Sequence, residues 1–346
     1  MMSRWNILSQ ASFISKRAKG LSVIVISSLL LLVLMPIAIS VGAADIDLRT
    51  VWEAISQYDP NIVDHQIIVD IRIPREISAA LVGASFAVAG AIMQGMTRNP
   101  LADSGLLGLN SGASLLLAIC FAYFPAISFM GLMLFSFLGA GIGALLVFGV
   151  AFLVKGGVSP LRLTLAGAAI SAFLGALAQG VALHANVAKD LLFWSTGGVA
   201  VSTWEEIKIM APIILLSLVV TLLISKQITI LSFGSEVSTG LGQNTSFIKI
   251  IAIILVLILA GTAVATVGAI AFVGLIVPHI VRFFVGMDYR WVIPGSALVG
   301  ALLLVIADIV SRTINPPFET PIGAIISLVS VPFFIYLTTK RRRNML

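Results

Sequence analysis

Charged side chains are rare in this sequence, and several fall at spacings that could carry chemistry. Arg72 and Arg75 flank Ile73-Pro74, with Glu76 next in line. A planar guanidinium grips a carboxylate through two parallel hydrogen bonds. Two arginines three residues apart could therefore receive acidic groups of a partner, or they could pair locally with Asp70 or Glu76. Asp308 and Arg312 stand at i and i+4, which places both on one helix face as an ion pair. Gln94, Gln179 and His184 are isolated polar groups in apolar surroundings and could line a pathway. Catalysis has no support. There is no HExxH, no paired carboxylates, no nucleophile–base pair and no G-x-x-x-x-G-K-[ST] phosphate loop. Cys120 is the single cysteine, which excludes disulfide frameworks and cysteine-based metal sites. His65, His184 and His279 are too far apart for metal-ligand spacing, and no metal or cofactor is expected.

The elements that must position these residues are set by composition. Hydrophobic residues make up 59% of the chain and charged ones 10%, with a mean hydropathy of +1.10. A soluble domain carries roughly 25% charged residues, so this chain has too little polar surface to face water. The net charge of +6 is spread singly at the ends of apolar runs, without the basic–aromatic interleaving of a nucleic-acid site. Nucleic-acid binding is set aside. The expected class is an all-α, polytopic membrane protein.

About 20 apolar residues cross a bilayer. Uncharged stretches occupy 21–44, 77–97, 104–154, 163–188, 209–225, 250–281, 291–307 and 320–339. The first resembles a signal peptide but is long, and more spans follow it, so an uncleaved span is expected. The 51 residues of 104–154 hold two spans broken near Pro125, and the 32 residues of 250–281 hold a full span and a short one. That makes ten. With both termini inside, fifteen Lys and Arg fall inside and six outside, the bias that orients membrane proteins. The expected organisation is a cytoplasmic segment 1–20, one membrane domain over 21–340 and a cytoplasmic basic tail 341–346, the whole chain being a multi-pass protein of the cell membrane.

Small residues recur every four positions at Ala79, Gly83, Ala87, Ala91 and Gly95, and again at Ala168, Ala172, Ala176 and Gly180. Such ridges let membrane helices approach closely. Internal packing is the first reading of both, with a dimer seam or a pathway wall as alternatives. Three segments lie between spans. Outer loop 45–76 holds Asp45, Asp47, Glu53, Asp59, Asp64 and Asp70, and Pro74 there marks the start of the second span. Inner loop 98–112 carries the turn signal Asn99-Pro100, either an ordinary turn or a narrow inner mouth faced by Asn99 and Leu101. Inner loop 227–248 is glycine-punctuated, and Ser235 to Thr239 could form a short helix stopped by Gly240. It is either a plain surface loop or a contact for a soluble partner.

Several blocks resemble the FecCD permease family. They are Arg72-Ile73-Pro74-Arg75, Gly90 to Gln94, Asn99-Pro100-Leu101-Ala102 and Leu107-Gly108, then the run from Gly268 to Val277-Pro278-His279. Gly286-Met287-Asp288-Tyr289-Arg290, Ala307-Asp308, Arg312 and Glu319-Thr320-Pro321-Ile322-Gly323 continue the likeness, which spans roughly residues 20 to 340. The resemblance implies a ten-span membrane subunit of a type II ABC importer for iron–siderophore complexes, haem or cobalamin. It implies a second permease subunit (identical or paralogous), two cytosolic ATPases and an extracytoplasmic binding protein as partners. Carried over by residue, Arg72, Arg75 and Arg312 would dock the binding protein. Gly234, Glu236, Leu241 and Gly242 would couple to the ATPase, although Ser235 stands where the family usually has a second acid. Asn99 and Leu101 would belong to the inner gate, and the second gate loop around Ser159, Pro160 and Leu161 matches only loosely.

The expected function is thus passage of an iron–siderophore complex, driven by separate ATPases, with a cobalamin or haem permease as the alternative. A low-polarity cavity suits a large chelate better than dedicated ligands would. An ion-coupled secondary transporter needs titratable groups at the midplane, and Asp308 is almost the sole candidate.

Overall fold

The computed structural model describes residues 2–42, 46–153, 160–200, 202–316 and 318–343, and among them the secondary structure is entirely helical. Asp45, Lys155, Ser159 and the end of the basic tail (344–346) lie outside the described residues, and Pro160 and Leu161 are described for their backbone alone. The helices are α1 (Met2–Ser40), α2 (Leu48–Ser56), α3 (Val63–Gln66), α4 (Ile73–Thr97), α5 (Leu109–Tyr123), α6 (Phe129–Leu153), α7 (Pro160–His184) and α8 (Ala188–Ser195). They continue as α9 (Trp204–Leu223), α10 (Ser225–Ser232), α11 (Ser235–Gly240), α12 (Thr245–Val267), α13 (Val273–Val285), α14 (Tyr289–Thr313) and α15 (Ile322–Arg343).

Each of the ten expected apolar segments falls on one of these helices. Seven are long and apolar enough to cross a membrane, and three shorter apolar helices, Leu109–Tyr123, Val273–Val285 and Ile322–Ile335, complete the set. The breaks fall where the sequence places them, after Tyr123 and between Val267 and Val273.

Helix α4 is the axis of the protein. It is buried on nearly every side, packed against α14, α12, α13 and α9. Its small-residue ridge makes this possible. A Cβ on Gly83 would overlap the Gly300 carbonyl of α14, and one on Gly90 would overlap Gly274 of α13. Backbones that approach so closely gain dispersion contacts along their length, which lipid cannot supply as an alternative. The second ridge behaves differently. Ala168, Ala172, Ala176 and Gly180 of α7 are all exposed, so internal packing is corrected for this helix. The outward face of α1 (Leu21, Leu29, Leu32 and Val33) is likewise exposed and apolar, as a lipid-facing surface must be.

The outer loop is largely helical. Amphipathic α2 buries Val51 and Ala54 against Ile39 and Ile68 and leaves Trp52 outward. Pro74 lies in the first turn of α4, as expected of the start of that helix, and the helical path is continued back from it. A single helical segment runs from Val63 to Thr97, with one wide π-type turn over Ile67–Arg72 in which the Ile73 N–H donates to the Ile68 carbonyl. The wide turn leads into Pro74, which has no N–H to give. It leaves the Val69 carbonyl without its helical donor, and the Trp204 indole N–H fills that vacancy at 2.8 Å.

Candidate functional site: an outer charge cluster and an inner exposed helix

At the start of α4 and the end of α14, five charged side chains meet. Arg75 donates from Nη2 to Asp308 at 2.8 Å and from Nη1 to Glu319 at 2.7 Å, while its Nε bridges both Asp308 oxygens at 3.0 Å. Arg312 lies 2.8 Å from Asp308 and also donates to Glu76. The expected Asp308–Arg312 pair is therefore present in the structure, embedded in a larger network. Local pairing of the arginines with Asp70 or Glu76 is corrected: Arg75 reaches across 233 positions to Asp308, and Glu76 is held by Arg312 instead of by its neighbours.

Arg72 has a different task. Its Nη1 donates to the carbonyls of Ile39 and Ser40, both at 2.7 Å, and Arg312 Nη1 donates to Val41 at the same distance. These are carbonyls at the C-terminus of α1, which lack helical donors and carry partial negative charge. The guanidiniums cap them. All three arginines are buried, with 6%, 6% and 7% exposure for Arg72, Arg75 and Arg312. The outward exposure implied by a docking role is not what the structure shows.

Beside this cluster opens a cavity of about 470 Å³. Phe121, Phe129, Phe193 and Trp194 form much of its wall, with Arg75, Asp190 and Glu319 at the edge and the Gly197-Gly198 turn on one side. The Gly198 N–H donates to the Val267 carbonyl at 2.8 Å, tying that turn to the end of α12.

The opposite end of α4 carries the second arrangement. With 25 residues at about 1.5 Å each, α4 separates its two ends by about 37 Å. At the far end Arg98 adopts a left-handed conformation (φ 53°), and its guanidinium lies against Gly234. Gly234 itself has φ 116°, open to glycine alone among common residues, and launches α11. The helix is fastened from beneath. The Ser238 hydroxyl donates to the Gly234 and Ile230 carbonyls, and Lys249 donates to the Ser235 hydroxyl at 3.2 Å. Its other side faces outward, with Glu236, Val237 (49% exposed), Leu241 (66%) and Gly242 uncovered. Apolar side chains on a pinned, exposed turn mark a surface built for contact.

The remaining expected residues divide. Asn99 and Leu101 are half-buried, and the Asn99 side-chain oxygen accepts from the Leu101 N–H at 3.0 Å in a tight turn beside Arg98. Gln94 is corrected as a pathway residue. It is 3% exposed, donates to the Gly274 carbonyl at 2.9 Å and accepts from Arg282, so it clamps α4 to α13. Gln179 is exposed on α7, on the same uncovered helix as the small-residue ridge. Sequence reasoning missed Glu76 and Glu319 as members of the cluster. A signal existed for Glu76, a lone carboxylate entering an apolar run, but its partner sits 236 positions away.

The architecture and these two ends define a multi-pass helical membrane protein of the ABC-importer permease type. The chain belongs to the FecCD transport family, whose model matches residues 30–340. It is 49% identical over 332 residues to the iron(3+)-hydroxamate import system permease protein FhuB of Bacillus subtilis (strain 168), covering 96% of this chain and 86% of that protein. It is 40% identical over 305 residues to the iron-uptake system permease protein FeuB of the same organism, covering 88% and 91%. Among solved structures, a metal-chelate type ABC transporter in an inward-facing conformation superposes with a TM-score of 0.81 at 28% identity, covering 92% of this chain and 99% of that one.

Proposed function

We propose that this chain is the permease subunit through which a ferric siderophore crosses the cytoplasmic membrane, with ATP hydrolysed by separate subunits. The observation that carries the reading is the placement of the two arrangements at opposite ends of one buried helix. An exposed, pinned turn (Gly234, Glu236, Leu241, Gly242) gives a cytosolic ATPase a surface to pull on, and α4 is rigid enough to carry the displacement to the arginine cluster. Both termini lie on the cytoplasmic side in this reading, in line with the excess of Lys and Arg at the α11 end. The names of relatives that import ferric hydroxamate and iron supply the substrate class.

A second permease subunit packs against the exposed ridge of α7, so that Gln179 and the aromatic cavity near Trp194 face the shared pathway. Asn99 and Leu101 stand at its inner mouth. An extracytoplasmic binding protein settles on the outer end. There Arg72, Arg75 and Arg312, saturated by carboxylates and carbonyls of their own chain, hold α1, α4 and α14 in register under the docking surface. The catalytic step of ATP hydrolysis belongs wholly to the partner.

The test is uptake of radiolabelled ferric hydroxamate into proteoliposomes holding the assembled complex. Uptake is expected to require ATP inside and to fall at least tenfold in Leu241→Asp, with loss of ATPase co-purification. Uptake driven by a proton gradient without ATP would overturn the proposal.

A further inference from the structure

A second cavity, of about 1260 Å³, opens at the α11 end of the bundle, beside the root of α11, where Ile230 and Phe233 line it. Its rim carries three cations, Arg17, Lys226 and Arg290, against one carboxylate, Asp288. Asp288 is held by Arg290 through Nη2 at 2.8 Å and Nε at 3.0 Å, and the formal charge of these four side chains is +2, three cations less one carboxylate. The rest of the lining includes the apolar side chains of Leu21, Phe233 and Trp291. Trp291 packs against the backbone at Gly20, where any Cβ would run into its ring.

We propose that this cavity binds the headgroup and upper chains of an anionic phospholipid. The lining combines cations with an apolar wall, the two chemistries that such a lipid presents as phosphate and acyl carbons. Leu21 and Trp291 open the uncharged runs of α1 and α14, which sets the cavity at the boundary between water and hydrocarbon, the depth at which tryptophan anchors membrane proteins. Basic pockets between spans are the usual receptors for anionic headgroups. The volume exceeds the 300–1,000 Å³ or so of clefts that enclose a drug-sized ligand, leaving room for two chains to start. A zwitterionic lipid brings no net charge to offset the rim, so the site selects against it.

The inference rests on the membrane insertion of the chain and not on its cargo or its ATPase, and its test uses neither. Full-length protein in detergent is titrated with phosphatidylglycerol or phosphatidylcholine brominated on the acyl chains, and quenching of tryptophan fluorescence is read. Trp291→Phe identifies the component from this site among the five tryptophans. The expected result is quenching of the Trp291 component at lower mole fraction by the anionic lipid. Lys226→Gln should weaken that affinity about fivefold and Arg17→Gln/Lys226→Gln about 30-fold, with Lys226→Arg unchanged. Equal quenching by the two lipids overturns the proposal, as does full affinity in a monodisperse double variant. Relief of quenching by millimolar inorganic phosphate would show a small-anion site and likewise overturn it. Should the double variant lose ATPase binding while keeping its lipid affinity, the cavity is a protein contact and the lipid assignment falls. If the double variant aggregates, the wild-type comparison of the two lipids decides.

Discussion

Replacing Arg312 by methionine keeps the length of the side chain and removes its charge. In the structure the guanidinium serves Glu76, Asp308 and the Val41 carbonyl at once, with 7% of the residue exposed. Asp308 retains Arg75, but Glu76 loses the arginine it is paired with, at 0% exposure. Breaking a buried pair from one side costs about 3–5 kcal/mol, because the charge left behind has no solvent. The expected loss for Arg312→Met is therefore about 3 kcal/mol or more. Reversible unfolding in mixed micelles, titrated with a denaturing detergent, measures it. The companion variant Arg312→Met/Glu76→Gln removes the orphaned charge and should recover at least about 2 kcal/mol of the loss, since deleting both partners is far cheaper than deleting one. Arg49→Met supplies the contrast. Arg49 pairs with Glu53 at 2.9 Å, yet its side chain is 84% exposed, so its removal should cost below about 1 kcal/mol. A loss for Arg312→Met as small as that of Arg49→Met would refute the reading of the cluster as a structural clamp, and so would the absence of any rescue by Glu76→Gln. A purely docking arginine would give the first of these results, weakening partner binding while leaving unfolding untouched.

Other expectations follow from the same geometry. Gly90→Val drives a branched side chain into Gly274 of α13 and should abolish accumulation of monodisperse protein, read by fluorescence-detected size exclusion. Trp204→Phe deprives the Val69 carbonyl of its donor beside Pro74 and should cost about 1–3 kcal/mol in the unfolding assay, with the ring still packed. Burial pushes the Asp103 carboxyl above the ordinary range, partly opposed by the N–H groups of Ser104 and Gly105 and by the Ser104 hydroxyl. A raised folded value means stability fully present below the unfolded pKa of about 3.9 and lost as pH climbs through the folded one. Asp103→Asn retains the cap on Ser104 and should stabilise the protein at pH 7 but not at pH 3.5, as unfolding at the two pH values would reveal. Burial also pushes Asp288 upward, but the hydrogen bonds and charge of Arg290 outweigh it and hold the carboxyl below its ordinary range. That stability is present above about pH 4 and lost as pH falls through the depressed value; Arg290→Gln should reduce the acid-side decline, leaving the part owed to the backbone N–H of residue 290.

Much of the protein is legible in one dimension because a bilayer admits few solutions. With no water to satisfy backbone groups, an apolar run of sufficient length must be a helix, and glycine and proline then mark the breaks. The places of the apolar helices, the all-helical class, the short helix after Gly234 and the i, i+4 pairing of Asp308 with Arg312 follow from residue type and spacing alone. The family blocks from Arg72 to Gly108 and Gly268 to Gly323 are local strings and are legible for the same reason.

What only the tertiary structure decided is which faces meet. Two small-residue ridges of the same period end in opposite environments, α4 at the core and α7 outside, because periodicity states that a helix can be approached closely but not by what. The arginines look outward in the sequence, at the mouth of an acidic loop, and prove to be buried against carboxylates and carbonyls more than 30 positions away. An ion pair is a short-range interaction between side chains, and in a folded chain its range is measured in ångströms rather than in residues. Pro74 states that a hydrogen bond is missing; that the indole of Trp204 makes good the loss is settled by the packing of α9 on α4, over a separation of 135 residues.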